Sequence, residues 1–254
     1  MKNKVWIFAF VLLLSGPGSV LASLIVNNPL PISEIVTVQP IVLSDDDGSN
    51  LANFFGTPDQ QNSIESYVDT IWAQAGIDVE FLAPSYWHDT FANWGENGPP
   101  DNGGETRPTS DLSAIVNGGQ GQGVTNPNPL VINMFFGQIP AGYAKLGPNQ
   151  AAGLAFIDAN GVSQYVGSNL LTWPEGREVI ASVVAHEIGH NLGLDHINEI
   201  ENLMNYNDDG ARLNNSQINT ALASPYSVPA PVPLPAAVWL FVSGMVGMKL
   251  TLRK

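Results

Sequence analysis

The 254-residue chain contains no cysteine. That excludes a disulfide scaffold, a thiol nucleophile, thiolate metal ligands and an iron–sulfur cluster. Basic residues are scarce as well: nine Lys and Arg stand against 23 Asp and Glu, a formal net charge of −14. A protein that works by neutralising phosphates needs the opposite balance, so nucleic acid is not an expected partner. Charged residues make up only 13% of the chain and hydrophobic ones 44%, enough for one ordinary domain with a substantial core. Histidine is rare too. Of the four (His88, His186, His190 and His196), the last three lie close together in one short segment.

Both ends read as targeting segments rather than fold. Lys2 and Lys4 precede an apolar run from Val5 to Leu14; Gly16 and Pro17 break it, and Val20-Leu21-Ala22 offers the small residue that signal peptidase requires. Residues 1–22 are therefore expected to be a secretory signal peptide. At the other end the proline-rich stretch 228–236 leads into an apolar run over 236–248, closed by Lys249, Arg253 and Lys254. With Lys249 snorkelling, 236–252 can just cross a bilayer, and the basic tail places that end in the cytoplasm. Val232-Pro233-Leu234-Pro235-Ala236 followed by a short apolar helix and a basic tail resembles the VPLPA variant of the PEP-CTERM sorting signals of Gram-negative bacteria. That resemblance implies retention in the inner membrane, cleavage by an exosortase-like enzyme, and delivery to the cell surface or extracellular matrix. The expected organisation is a signal peptide over 1–22, a catalytic domain over 23–228, and a linker with sorting segment over 229–254. The middle part holds all 23 acids but only Arg107, Lys145, Arg177 and Arg212 of the basic residues.

Within that domain, Ile35–Val38 and Ile41–Leu43 read as strand, interrupted at Pro40 and ended by Asp45-Asp46-Asp47-Gly48. The three acids lack the alternating spacing of an EF-hand loop, so a solvated turn is expected, with bound calcium as the alternative. Thr57-Pro58-Asp59-Gln60 is a helix start, and Ile64, Tyr67, Val68, Ile71, Trp72 and Ala75 form one apolar stripe ending at Gly76. A strand over 77–82 follows, which makes a βαβ unit. Residues 93–129, crowded with Gly, Asn and Pro, read as a long loop, either a lid or disordered. Residues 130–136 read as a buried strand and 152–157 with 162–166 as a hairpin. Pro174-Glu175 opens a second helix with Val179, Ile180, Val183, Val184 and Ile188 as its apolar positions, and 217–223 a short last one.

The second helix carries His186-Glu187-Ile188-Gly189-His190-Asn191-Leu192-Gly193-Leu194-Asp195-His196. Residues four apart on a helix share a face, so His186 and His190 can present two imidazoles to one metal. Gly193 can adopt the left-handed conformation that ends the helix and lets His196 arrive as third ligand. Three neutral nitrogens leave a fourth tetrahedral position for water, the arrangement of a catalytic zinc site, and Glu187 stands ready as general base. The bare H-E-x-x-H motif occurs by chance in many sequences; the eleven-residue form rarely does.

That eleven-residue form resembles the metzincin clan of zinc endopeptidases. In Leu203-Met204-Asn205-Tyr206 the resemblance extends to the Met-turn, with Met204 as the floor beneath the imidazoles. Tyr206 is similar to the tyrosine of astacins and serralysins that ligates zinc or stabilises the oxyanion. The resemblance implies an α+β, zincin-like fold: a twisted mixed sheet, an active-site helix and a small C-terminal subdomain. It implies Zn2+ as cofactor, a polypeptide substrate, and a hairpin edge strand at 153–157 that holds the substrate extended. The chain departs from the matrixins in lacking a cysteine switch, and few residues separate the signal peptide from the first strand, too few for a folded prodomain. His88 reads as a loop residue outside the chemistry. The competing class is a surface or matrix protein that binds zinc without turnover. If the tail is a sorting anchor, deleting residues 232–254 should release soluble, folded protein from the inner membrane. Membrane fractionation with a thermal melt checks this, and misfolding of the truncated form would show that the tail belongs to the core.

Overall fold

The computed structural model of the chain describes residues 24–94, 110–138, 152–205 and 210–231. The expected signal peptide and sorting segment and Tyr206 lie outside the described residues. No helix among the described residues is long and apolar enough to cross a membrane.

The centre of the fold is a single long strand, β1 (Glu34–Ser44). Its first half pairs with β2 (Ile77–Phe81) and its second half with β3 (Ser85–His88), both parallel and along the same side. On the other side it pairs in parallel with β4 (Val131–Gly137), then come β6 (Val162–Tyr165) and the antiparallel β5 (Ala152–Ala155). A short β7 (Val228–Pro229) runs antiparallel beside the start of β1, carrying the sheet into the first residues of the proline-rich stretch. The result is a seven-stranded mixed sheet with β5 as an edge.

Pro40 does not interrupt β1 as its sequence led us to expect. The partner on one side changes from β2, whose last pair is Val38↔Phe81, to β3, whose first is Ile41↔Ser85. The proline falls in that gap, so its missing N–H removes no ladder bond. Gln39 Nε2 instead bridges the gap by donating to the carbonyls of Pro40 and Ala83, at 2.9 and 3.0 Å.

Alternation along β1 and β4 sends side chains to two cores. Val36, Val38, Val42, Ile132, Met134 and Phe136 face the larger one, built with α1 (Pro58–Trp72) and α4 (Pro174–Asn191). Ile41, Leu43 and Phe135 face a smaller one with Trp87, Ala92 and Ile115. Ala92 lies on the short α2 (Thr90–Trp94), and Ile115 lies on α3 (Ser110–Gly121). The domain thus has helices on both faces of its sheet. Helix α1 starts as its sequence indicated, with Gln60 Oε1 accepting from the Thr57 N–H at 2.8 Å and Pro58 in the first turn. It buries Ile64, Val68, Ile71 and Trp72, and the chain turns at Gly76, φ +69°.

Helix α3 corrects the expectation of a loop throughout 93–129. Its glycines argue against a helix on propensity alone. Two of the three are there for proximity: a Cβ on Gly119 would stand 2.7 Å from Cε1 of Phe135, and one on Gly118 3.2 Å from Trp87. Leu112 and Ile115, one turn apart, are buried. Three further expectations are corrected. Val179 of α4 is 39% exposed rather than core. His88 ends strand β3 instead of lying in a loop, and its Nδ1 is 2.5 Å from Ser44 Oγ. The Asp45–Asp47 turn is more than solvated: the Asp45 carboxylate accepts from Asn50 Nδ2, Asn93 Nδ2 and Trp94 Nε1, at 2.6, 2.9 and 2.7 Å. Those donors hold its pKa below the usual carboxylate range.

Asp69 on α1 is the opposite case. Partial burial raises its pKa to about 6, against the Val79 N–H that its carboxylate accepts and helped by the nearby charge of Asp78. Because the folded pKa lies above the unfolded one, the protonated form favours folding, and that contribution is lost as pH rises through about 6. Asp69→Asn should therefore raise Tm at pH 7.5, by about 1 kcal/mol after allowance for solvent screening, or ~2–4 °C. The gain should shrink through pH 6 and vanish near pH 4. A gain that is constant with pH would contradict this assignment.

Candidate metal centre

Helix α4 begins with Pro174 in its first turn and Glu175 at its positive end, after an extended Trp173. From Ile180 to Asn191 every residue is buried, because α1, the β5–β6 hairpin and the segment after His196 enclose it. Its end is a Schellman motif: the Gly193 N–H donates to the carbonyl of His190 and the Leu194 N–H to that of Gly189, both at 2.9 Å. Gly193 has φ +89°, the left-handed conformation anticipated for it. The chain leaves the helix axis there and returns with His196.

The three imidazoles meet. His186 Nε2 lies 3.1 Å from His196 Nε2 and 3.1 Å from His190 Nε2, and the third side of the triangle is 3.2 Å. The other ring nitrogens explain the orientation. His186 Nδ1 is 2.6 Å from the carbonyl of Leu203, and His190 Nδ1 is 2.8 Å from that of Leu194. A carbonyl only accepts, so each Nδ1 carries the proton and each Nε2 presents a lone pair. Burial, reinforced for His190 and His196 by the neighbouring imidazoles, lowers the three pKa values to about 4, about 2 and about 4 in sequence order. At neutral pH the cluster is uncharged. Lone pairs converging in a buried site repel one another unless a cation lies among them, and protons do not supply it at that pH. Nitrogens bound tetrahedrally to zinc at about 2.0–2.1 Å are about 3.3 Å apart, close to the triangle found. The residues therefore fit a zinc ion, and they are the one group among the described residues placed to hold a metal.

A second set of contacts, invisible in the motif, fixes this triangle. Met204 is fully buried, and a Cβ on Gly189 would stand 2.7 Å from its Sδ. Glycine at 189, between His186 and His190, thus lets the methionine sulfur come up against the helix backbone. The Ile197 N–H donates to the Met204 carbonyl at 2.9 Å, closing the loop that leaves His196. Asn202 Oδ1 accepts from the Met204 N–H at 2.9 Å, and its amide pairs reciprocally with Gln217 of α5 (Asn215–Ala223), at 2.9 and 3.0 Å. Asn191, next to His190, donates through Nδ2 to the carbonyls of Phe156 and Ala159, at 2.9 and 2.7 Å, tying the hairpin to the helix. Buried asparagines at 191 and 202, flanking ligand and Met-turn, were the available signal. Glu187 is 4% exposed and packs against β5. Tyr206 cannot be placed relative to this group because it lies outside the described residues.

Residues 109–197, which span α3, the hairpin and the ligand helix, match the profile of the Reprolysin-like metallopeptidase family M12B. The matched segment is similar to that family. It makes up well under half of the chain. No curated protein matches the chain. Among solved structures it is similar to metalloproteinase-II from Bacteroides fragilis, with 15% identity and TM-score 0.41, over 76% of this chain and 56% of that one. It is also similar to archaemetzincin from Methanopyrus kandleri, with 17% identity and TM-score 0.39, over 74% of this chain and 88% of that one. The fold class expected from the resemblance, a twisted mixed sheet with an active-site helix, is the one found.

Asn191→Ala would remove the amide donor shared by the carbonyls of Phe156 and Ala159, two hydrogen bonds worth about 1–3 kcal/mol together. Its Tm should fall by about 2–12 °C, while zinc content stays at about one per chain because no ligand is touched. Calorimetry with metal analysis checks this; an unchanged Tm would show that the hairpin is held otherwise.

Proposed function

We propose that the protein is a secreted zinc endopeptidase of metzincin type. The observation that carries this reading is the convergence of three Nε2 atoms, those of His186 and His190 unprotonated, beside a buried glutamate on the same helix as these two. A purely structural metal site has no use for a carboxylate next to a three-ligand set. The reprolysin-like match over 109–197 supports the same class.

In this reading His186, His190 and His196 hold the zinc, which when bound supplies a Lewis acid and acidifies a water molecule. Glu187, beside His186, would accept the proton of the attacking water and return it to the departing amine. Tyr206, two residues beyond Met204, donates to the oxyanion. Among the described residues β5 pairs only with β6, so its other edge offers free N–H and C=O groups to an extended polypeptide. Export by the signal peptide, and surface or matrix sorting through the C-terminal segment with an exosortase-like enzyme, complete the proposal. The sequence at the two ends supports this part.

Glu187→Ala should keep about one zinc per chain yet lose a factor of about 10²–10⁴ in peptide hydrolysis. His196→Ala should lose metal and activity together. Tyr206→Phe should bind zinc normally and lose at most about 10²–10³. The four proteins are compared at equal zinc occupancy on a broad peptide library. A wild type that binds zinc but cleaves nothing, with Glu187→Ala indistinguishable from it, would replace this reading with that of an inert zinc-binding matrix protein.

A further inference from the structure

Gly153 of β5 has no backbone reason to be glycine, since its φ lies outside the left-handed region. The reason is space. A Cβ built there would stand 2.3 Å from Cγ of Glu187, 2.7 Å from its Cδ and 2.7 Å from its Oε1. All three nearest atoms belong to one side chain, and contacts under 3.0 Å are essentially never seen for a real Cβ. With any other residue at 153, either the strand or the glutamate has to move.

The strand is the stiffer of the two. β5 is in register with β6 from Ala152↔Tyr165 to Ala155↔Val162. The hairpin is fastened to α4 by the Asn191 amide and by the Asp158 N–H, which donates to the His190 carbonyl at 2.9 Å. Glu187 has three side-chain torsions, so its carboxyl yields first. At 4% exposure it has no open solvent beside it to yield into.

We propose that Gly153 is a positioning residue for Glu187. The side chain it lacks reserves the volume in which the Glu187 carboxyl lies, and so fixes that carboxyl against β5. The kinetic consequence rests on the reading of Glu187 as the base; the steric coupling does not.

The test is a double-mutant cycle on the full-length, zinc-loaded protein: wild type, Gly153→Ala, Glu187→Ala and the double variant. Gly153→Ala should lower Tm by about 2–6 °C in the wild-type background and by less than about 1 °C with Glu187→Ala, where the three clashing atoms are gone. If the single variant fails to accumulate and the double variant folds, that too is the predicted coupling. Zinc should stay at about one per chain in every variant that folds. On peptide substrate Gly153→Ala should cut kcat by about 10–100-fold with KM within about twofold, because misplaced reacting groups lose rate while the strand edge keeps its backbone. Equal Tm losses in both backgrounds, or an unchanged kcat beside an intact coupling, would overturn the proposal. If wild type proves inactive, the peptidase reading fails, and the Tm cycle alone decides whether Gly153 positions Glu187.

Discussion

The arrangement depends on two hydrogen bonds, from Nδ1 of His186 to the Leu203 carbonyl and from Nδ1 of His190 to the Leu194 carbonyl. Each fixes a tautomer and a ring orientation at once, turning an imidazole that could face either way into a metal donor aimed at one point. Both acceptors come from chain that follows the helix, so neither bond can form until that chain has folded back. The Schellman turn at Gly193 returns Leu194 to the helix end, and the Met-turn brings Leu203 beneath it. Most of the polar structure of the C-terminal part serves these two carbonyls. The Asn202–Gln217 amide pair holds the Met-turn to α5, and the Ile197 to Met204 bond closes the loop between them.

The sheet provides the other half of the site. β1 is long enough to take two partners in succession along one side, and β4, buried on both faces, separates the two cores. The hairpin at the far end brings an edge strand against the ligand helix. Glycine appears at several close approaches between elements: Gly176 against the Leu170 carbonyl, Gly153 against Glu187, Gly189 against Met204, and Gly119 against Phe135. In each the absent side chain is replaced by a specific partner group. These glycines set distances between elements and are not turns.

What could be read from the sequence was whatever local chemistry determines. The start of α1 at Thr57-Pro58, its apolar stripe, the β5–β6 hairpin, the span of α4 and the left-handed Gly193 all follow from residues within one or two turns of each other. The ligand triad was legible because helical periodicity and one glycine suffice to bring it together. Helix α3 was not, because its glycines lower propensity and their justification, Phe135 and Trp87, lies on strands distant in the chain. The passage of β1 through Pro40 depends on where β2 gives way to β3, and the Asp45 hub depends on Asn93 and Trp94, nearly fifty residues away. The supporting shell of Asn191 and Asn202 was overlooked for the same reason: an asparagine in isolation reads as a turn or surface residue.

The central claim is that three imidazoles, two of them pre-oriented by backbone acceptors, hold one zinc ion with a position left over. X-ray absorption at the zinc edge on the purified protein tests it most directly. The account predicts one zinc per chain with three imidazole nitrogens at about 2.0–2.1 Å and one further light-atom ligand. Zinc coordinated by fewer than three imidazoles, a closed shell of four protein ligands, or no stoichiometric zinc after purification without chelators would contradict it.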